Sequence, residues 1–242
     1  MKAMIFAAGL GTRLKPLTDV KPKALIEING ITLLELAIKK LKQAGVDHII
    51  INLHHFAVAI REFVAARRSF GVEIVFSDET DLLLETGGGL KKAAWFFDDG
   101  NPFFVYNVDI VTNLHLLQVV DFHKKHKALV TLPVRNRATN RYLLFDEQNL
   151  LVGWKNIGTD EVKFSRGVSQ SYPLAFSGIH LIEPQIFDLL TEEGRFSIID
   201  AYLRLSTTQR IVGMEHNESL WYDVGKLNQL TEANLVDFVK CC

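Results

Sequence analysis

The stretch Lys2-Ala3-Met4-Ile5-Phe6-Ala7-Ala8-Gly9-Leu10-Gly11-Thr12-Arg13-Leu14-Lys15-Pro16-Leu17-Thr18 decides how the rest of the chain is read. It opens as a short apolar run closed by glycine, the pattern of a buried strand. Gly9 and Gly11 then let the backbone turn sharply and bring bare N–H groups against an anionic ligand, which is how a loop cradles phosphate. Arg13 and Lys23 flank these glycines in one long loop. Arg supplies a planar donor fork and Lys a point charge, so the loop predicts a phosphate site at the C-terminal edge of a parallel sheet.

Apolar runs of the same kind recur at residues 48–53, 72–76, 103–106 and 128–134, with helix-period segments between them at 32–44, 56–69, 89–97 and 113–126. In the first of these segments Leu33, Leu36, Ala37, Leu41 and Ala44 share one stripe, and Gly45 stands where a helix ends. Strand and helix in alternation predict βαβ units. The expected fold class is α/β, a three-layer αβα arrangement on a mostly parallel, Rossmann-like sheet covered on both faces. After Val134 the rhythm changes. Residues 142–146 and 150–154 read as a hairpin, 174–182 as one long strand, and the polar, Gly-punctuated segment 155–173 as a mobile loop. Helical patterns return at 184–190, 198–205 and 226–238, with a short strand at 210–214, so the antiparallel part reads as a small appendage to one domain.

Lys and Arg number 27 against 28 Asp and Glu, a net charge of −1. A general nucleic-acid coat needs an excess of basic residues on one face, so no nucleic-acid partner is expected and any phosphate must be met by a local cluster. No apolar run approaches the roughly 18 residues needed to cross a bilayer, and the first run turns basic too soon for a signal segment. A cytoplasmic protein with no membrane partner is expected, as a monomer or small homo-oligomer. The only cysteines, Cys241 and Cys242, are adjacent and read as an inert, frayed tail.

Two other phosphate motifs fail. A dinucleotide-binding loop would carry a third glycine at position 14, where Leu14 stands, and no Gly-Lys-Ser/Thr occurs for a P-loop. Instead, Gly9-Leu10-Gly11-Thr12-Arg13 followed by Lys21-Pro22-Lys23 resembles the G-x-G-T-R…K-P-K signature of sugar-phosphate nucleotidyltransferases. These enzymes join a sugar 1-phosphate to a nucleoside triphosphate (NTP) and release pyrophosphate. The similarity runs nearly end to end. It implies a core of the nucleotide-diphospho-sugar transferase type over residues 1–242, with a nucleotide-binding half to about 134 and a sugar-binding half over about 135–240. It also implies that Arg13 and Lys23 act on the triphosphate, with Ala8, Gly9, Gly11 and Thr12 beside them in the nucleotide site.

The same resemblance makes Asp109, after the run 103–106, and Asp223, in Trp221-Tyr222-Asp223-Val224-Gly225, the ligands of Mg²⁺. One or two carboxylates completed by substrate phosphates is the usual way this ion is held. No general base is needed, because the attacking oxygen already belongs to a phosphate whose second pKa is near 6. Glu85-Thr86-Gly87-Gly88-Gly89 opens a helix and offers backbone N–H and C=O groups to a flat ring, so Glu85, Thr86, Gly87 and Gly88 are expected at the nucleobase. Asn107, Lys155 and Gly178 are expected at the sugar, Gly178 within Phe176-Ser177-Gly178-Ile179. Within the family the E-T-G-G-G version is most similar to the short bacterial N-acetylmuramate 1-phosphate uridylyltransferases, with mannose-1-phosphate guanylyltransferases using GTP, or a non-catalytic nucleotide-sugar-binding protein, as alternatives.

Overall fold

Lys2–Phe6 lies parallel to His48–Leu53, with Lys2 opposite His48 and Phe6 opposite Asn52, and His48–Leu53 lies parallel to Glu73–Asp78. This ladder, in a computed structural model that describes residues 1–225 and 227–234, forms because each strand is apolar at its centre, Ala3-Met4-Ile5, Ile49-Ile50-Ile51 and Ile74-Val75-Phe76, and the first two of these are fully buried. Phe103–Asn107 adds to the other side of Lys2–Phe6. The helix Leu33–Gln43 starts where Thr32 accepts a hydrogen bond from the Glu35 N–H at 3.2 Å, and ends before Gly45, whose φ of 81° only glycine adopts without strain. Its Leu34, Ile38 and Leu41 are fully buried.

The chain divides into two compact units. The first comprises Met1–Leu84, Val105–Leu116 and the described residues from Ser219 on; the second comprises Glu85–Phe104 and Leu117–Glu218. Besides its parallel ladder, the first unit holds a two-stranded ribbon in which Trp221–Asp223 runs antiparallel to Ile110–Thr112. In the second unit Val130–Arg135 pairs in parallel with Ile211–Glu215 and antiparallel with both Tyr172–Phe176 and Ile179–Ile182. Arg141–Phe145 and Leu151–Asn156 form the expected hairpin. The fold is α/β, a mixed sheet with a mostly parallel core and flanking helices.

Three local expectations are corrected. Residues 155–173 are not a mobile loop throughout: Glu161–Phe164 pairs antiparallel with Leu151–Asn156, so the hairpin gains a third strand. The long strand over 174–182 is two, Tyr172–Phe176 and Ile179–Ile182, broken at Gly178, whose φ of 76° interrupts the extended backbone. The helix at 184–190 is a single turn, Ile186–Leu189. The last helix is described over Leu227–Asn234. Lys226, residues 235–238 of the expected helix, and Cys241 and Cys242 lie outside the described residues. Among the described residues no helix is long and apolar enough to cross a membrane.

Candidate active site

Two anchors hold the glycine loop in the first unit. Asn52, 3% exposed, accepts hydrogen bonds from the N–H groups of Ala7 and Ala8 at 2.8 and 3.3 Å and donates to Glu79 at 2.9 Å. Glu79 in turn accepts from the Leu84 N–H at 3.2 Å. A buried amide or carboxyl left unpaired costs about 1–3 kcal/mol, so this network ties the root of the loop to the neighbouring strand. The second anchor is Gly11, at φ 63°. Its carbonyl accepts from the Thr18 hydroxyl at 2.9 Å, and a Cβ there would meet Thr18 Cγ2 at 2.7 Å. Conformation and space both require glycine.

The loop delivers two cations to two acids. Lys23 opens the 3₁₀ turn Lys23–Leu25 and forms an ion pair with Asp109, their side chains only 12% and 14% exposed. Arg13 is more open, its Nη1 3.9 Å from Asp223 Oδ2. Asp109 lies two residues past the end of the strand Phe103–Asn107. Asp223 arrives on the ribbon, opposite Ile110, and the Val224 N–H donates to the Asp109 carbonyl at 3.0 Å. Burial, and then the negative charge of Asp109, push the Asp223 carboxyl above its usual range.

Gly225 sits at the centre of this cluster. A Cβ built on it would lie 2.8 Å from Asp223 Oδ1, 2.9 Å from Arg13 Nη2 and 3.0 Å from Asp109 Oδ2. The missing side chain therefore leaves a small space into which two carboxylates and a guanidinium all face. Oxygen donors from two carboxylates suit a hard divalent cation that keeps waters and takes its other ligands from phosphate. Among the described residues no set of three or more His, Cys, Asp and Glu side chains converges on one point.

The other expected site residues divide between the units. Gly9 and Thr12 are exposed along the loop and Ala8 is buried at its root. Asn107 is half-buried at the end of its strand. In the second unit Glu85 accepts two hydrogen bonds from Arg195, at 2.8 and 2.9 Å to Nη2 and Nε, and the Thr86 hydroxyl accepts from the Ile198 N–H at 3.0 Å. Here the structure departs from the sequence reading of open glycine N–H groups. Those of Gly87 and Gly88 donate to the Phe196 carbonyl at 2.9 and 3.4 Å. Gly87 is glycine because a Cβ would overlap the Phe196 ring. Lys155 is half-buried on Leu151–Asn156, and alternation along a strand turns it away from the face that carries Trp154.

Sequence reasoning missed Asn52, Glu79 and Gly225. For Asn52 a signal existed: a lone amide closing Ile49-Ile50-Ile51-Asn52 is costly in a buried strand unless it has a structural task.

A glycine loop that follows the first parallel strand and brings two cations to two neighbouring carboxylates, one just past a strand of that sheet and one on the ribbon, is the arrangement of a phosphate-transfer enzyme. Residues 2–148 match the model of the Nucleotidyl transferase family, and the chain belongs to that family as a sugar-1-phosphate nucleotidyltransferase. It is 32% identical to the N-acetylmuramate alpha-1-phosphate uridylyltransferase of Caulobacter vibrioides, over 92% of this chain and 91% of that one. It is also 32% identical to the enzyme of the same name from Neisseria meningitidis, over 96% of each. Its fold matches that of a UDP-glucose pyrophosphorylase solved with UDP-glucose at a TM-score of 0.77, with 18% identity over 99% of this chain and 98% of the other.

Proposed function

We propose that this chain transfers UMP from UTP to N-acetylmuramate 1-phosphate with Mg²⁺ as cofactor. A phosphate oxygen of the sugar 1-phosphate attacks the α-phosphorus of UTP, the bond to the β-phosphate breaks, and the products are the nucleotide-sugar and pyrophosphate. The observation that carries the reaction class is the convergence of Arg13, Asp109 and Asp223 on the space above Gly225, with Lys23 paired to Asp109. The choice of sugar and base is supported by the two relatives that share 32% identity with this chain over more than nine-tenths of its length.

Two polyanions must meet in line, so the residues serve mainly to neutralise and orient. Asp109 and Asp223 would hold Mg²⁺, which would supply positive charge to offset that of the phosphates. Arg13, exposed and with a forked donor head, suits the triphosphate, and Lys23 exchanges its Asp109 pairing for phosphate as substrate enters.

Asp109→Asn and Asp223→Asn should each lower kcat by about 10²-fold or more while the circular-dichroism spectrum and Tm stay near wild type. The readout is pyrophosphate release with UTP, GTP, CTP and dTTP against N-acetylmuramate, N-acetylglucosamine, glucose and mannose 1-phosphates. Wild-type turnover by either variant would remove the metal assignment, and a tenfold preference for GTP with mannose 1-phosphate would replace the substrate assignment.

A further inference from the structure

The second unit contains a cavity of about 410 Å³ lined by Arg141, Trp154, Lys163, Phe176, Ser197 and Asp200, among others. Trp154 and Phe176, both half-buried, put aromatic surface into the lining, of the kind against which the C–H face of a pyranose packs. Ser197 and Asp200 supply hydroxyl and carboxylate groups for sugar hydroxyls. The cavity also shares chain segments with the expected ligand sites of this unit. Phe176 opens Phe176-Ser177-Gly178, and Ser197 follows Phe196, whose carbonyl accepts from Gly87.

Its charge is the informative feature. Lys163 lies 4.0 Å from Asp200 and 3.3 Å from Glu161, and its Nζ sits 5.4 Å from the centre of the Trp154 ring, so it already faces two acids and an aromatic ring. The Arg141 guanidinium is exposed and makes no ion pair or hydrogen bond among the described residues. The cavity lining therefore keeps one uncompensated cation. A neutral sugar would leave that cation without a counter-charge, whereas a carboxylate matches its planar fork with two parallel hydrogen bonds.

We propose that Arg141 is a specificity-determining residue that reads the carboxylate distinguishing N-acetylmuramate from N-acetylglucosamine. The inference rests on the sugar assigned under the proposed function and deepens it.

The test measures kcat/KM with UTP and Mg²⁺ for N-acetylmuramate 1-phosphate and N-acetylglucosamine 1-phosphate, in wild type, Arg141→Ala and Arg141→Glu. Both substrates carry the same phosphate and differ in the lactyl ether that bears the acid, so the change in their ratio when the charge at position 141 is removed or reversed reports the carboxylate. We expect wild type to favour the muramyl substrate, the ratio to fall about tenfold or more in Arg141→Ala, and to fall further in Arg141→Glu. If wild type favours the muramyl substrate and Arg141→Glu keeps the ratio, the role of Arg141 is overturned and the proposed function stands. Equal losses on both substrates show that Arg141 meets the shared phosphate, which also overturns it. If wild type does not favour the muramyl substrate, the sugar assignment fails and this inference fails with it.

Discussion

Gly225 shows how a single missing side chain shapes the site. In most buried positions Gly→Ala is judged by what the added methyl displaces. Here the displaced atoms are the tips of Asp109, Asp223 and Arg13, all able to swing aside. The fold should therefore accept Gly225→Ala at a cost of about 1 kcal/mol or less, while the space between the carboxylates closes. We expect kcat to fall by about 10²-fold and the Mg²⁺ concentration for half-maximal rate to rise, measured by titrating Mg²⁺ at saturating UTP. A variant with unchanged Mg²⁺ dependence would show that the cation sits elsewhere. Arg13 and Lys23 were legible at this scale because they lie within a few residues of the glycines that turn the chain. Gly225 was not, because its neighbours come from the first loop and from the end of a strand far back in the chain.

The helix Glu85–Lys92 illustrates an element whose composition and packing pull in opposite directions. Three consecutive glycines weaken a helix, and Gly→Ala in an exposed helix gains roughly 1 kcal/mol. At Gly87 the expected sign is reversed. A Cβ there would enter the Phe196 ring and approach the Phe196 carbonyl, which accepts the Gly87 N–H. Overpacking of this kind costs about 1–3 kcal/mol, enough to outweigh the propensity gain. Gly87→Ala should lower stability by about 2 kcal/mol in urea unfolding, and a more stable variant would show that Phe196 rotates away freely. The sequence located the helix start through the acid and glycine pattern, yet assigned the glycines to an open ligand edge. The tertiary reason for Gly87 is the ring of Phe196, a residue that only the fold brings near.

Across the whole molecule, acid sensitivity follows from histidines buried in the second unit. His180, 2% exposed with Nδ1 2.9 Å from the Tyr202 hydroxyl, is pulled by burial down to about 3. His216, its Nε2 2.6 Å from Ser177 Oγ, is pulled by burial and then by the charge of Arg135 down to about 4. Both stay neutral in the folded chain at pH values where the unfolded chain, with histidines near 6.5, takes up protons. Unfolding is then coupled to proton binding, so stability is full above about pH 6.5 and is lost as pH falls towards 4. For His216 the loss by pH 4 is on the order of 3 kcal/mol. Urea midpoints at pH 7, 5.5 and 4 should fall steadily, and His216→Gln should flatten the dependence. A midpoint unchanged between pH 7 and 4.5 would contradict the buried neutral state.

By itself the sequence determined what depends on near neighbours along the chain. Short apolar runs specified the parallel strands, the stripe between Thr32 and Gly45 specified a capped helix, and the motif of Gly9, Gly11, Arg13 and Lys23 specified the family. Each rests on periodicity or on a φ angle that a single residue must adopt. Only the tertiary structure decided what depends on register between distant segments. Trp221–Asp223 could pair with many strands, and the choice of Ile110–Thr112, with Asp223 opposite Ile110, puts two carboxylates side by side. Glu161–Phe164 lies in a polar, Gly-punctuated segment and carries only four alternating residues, too short a pattern to stand out, and its pairing with Leu151–Asn156 is what makes it a strand. Gathering Arg141, Trp154, Phe176 and Asp200 around one cavity likewise depends on how a hairpin, a broken strand and a helix pack, which is fixed by the shape of a shared core rather than by any local run of residues.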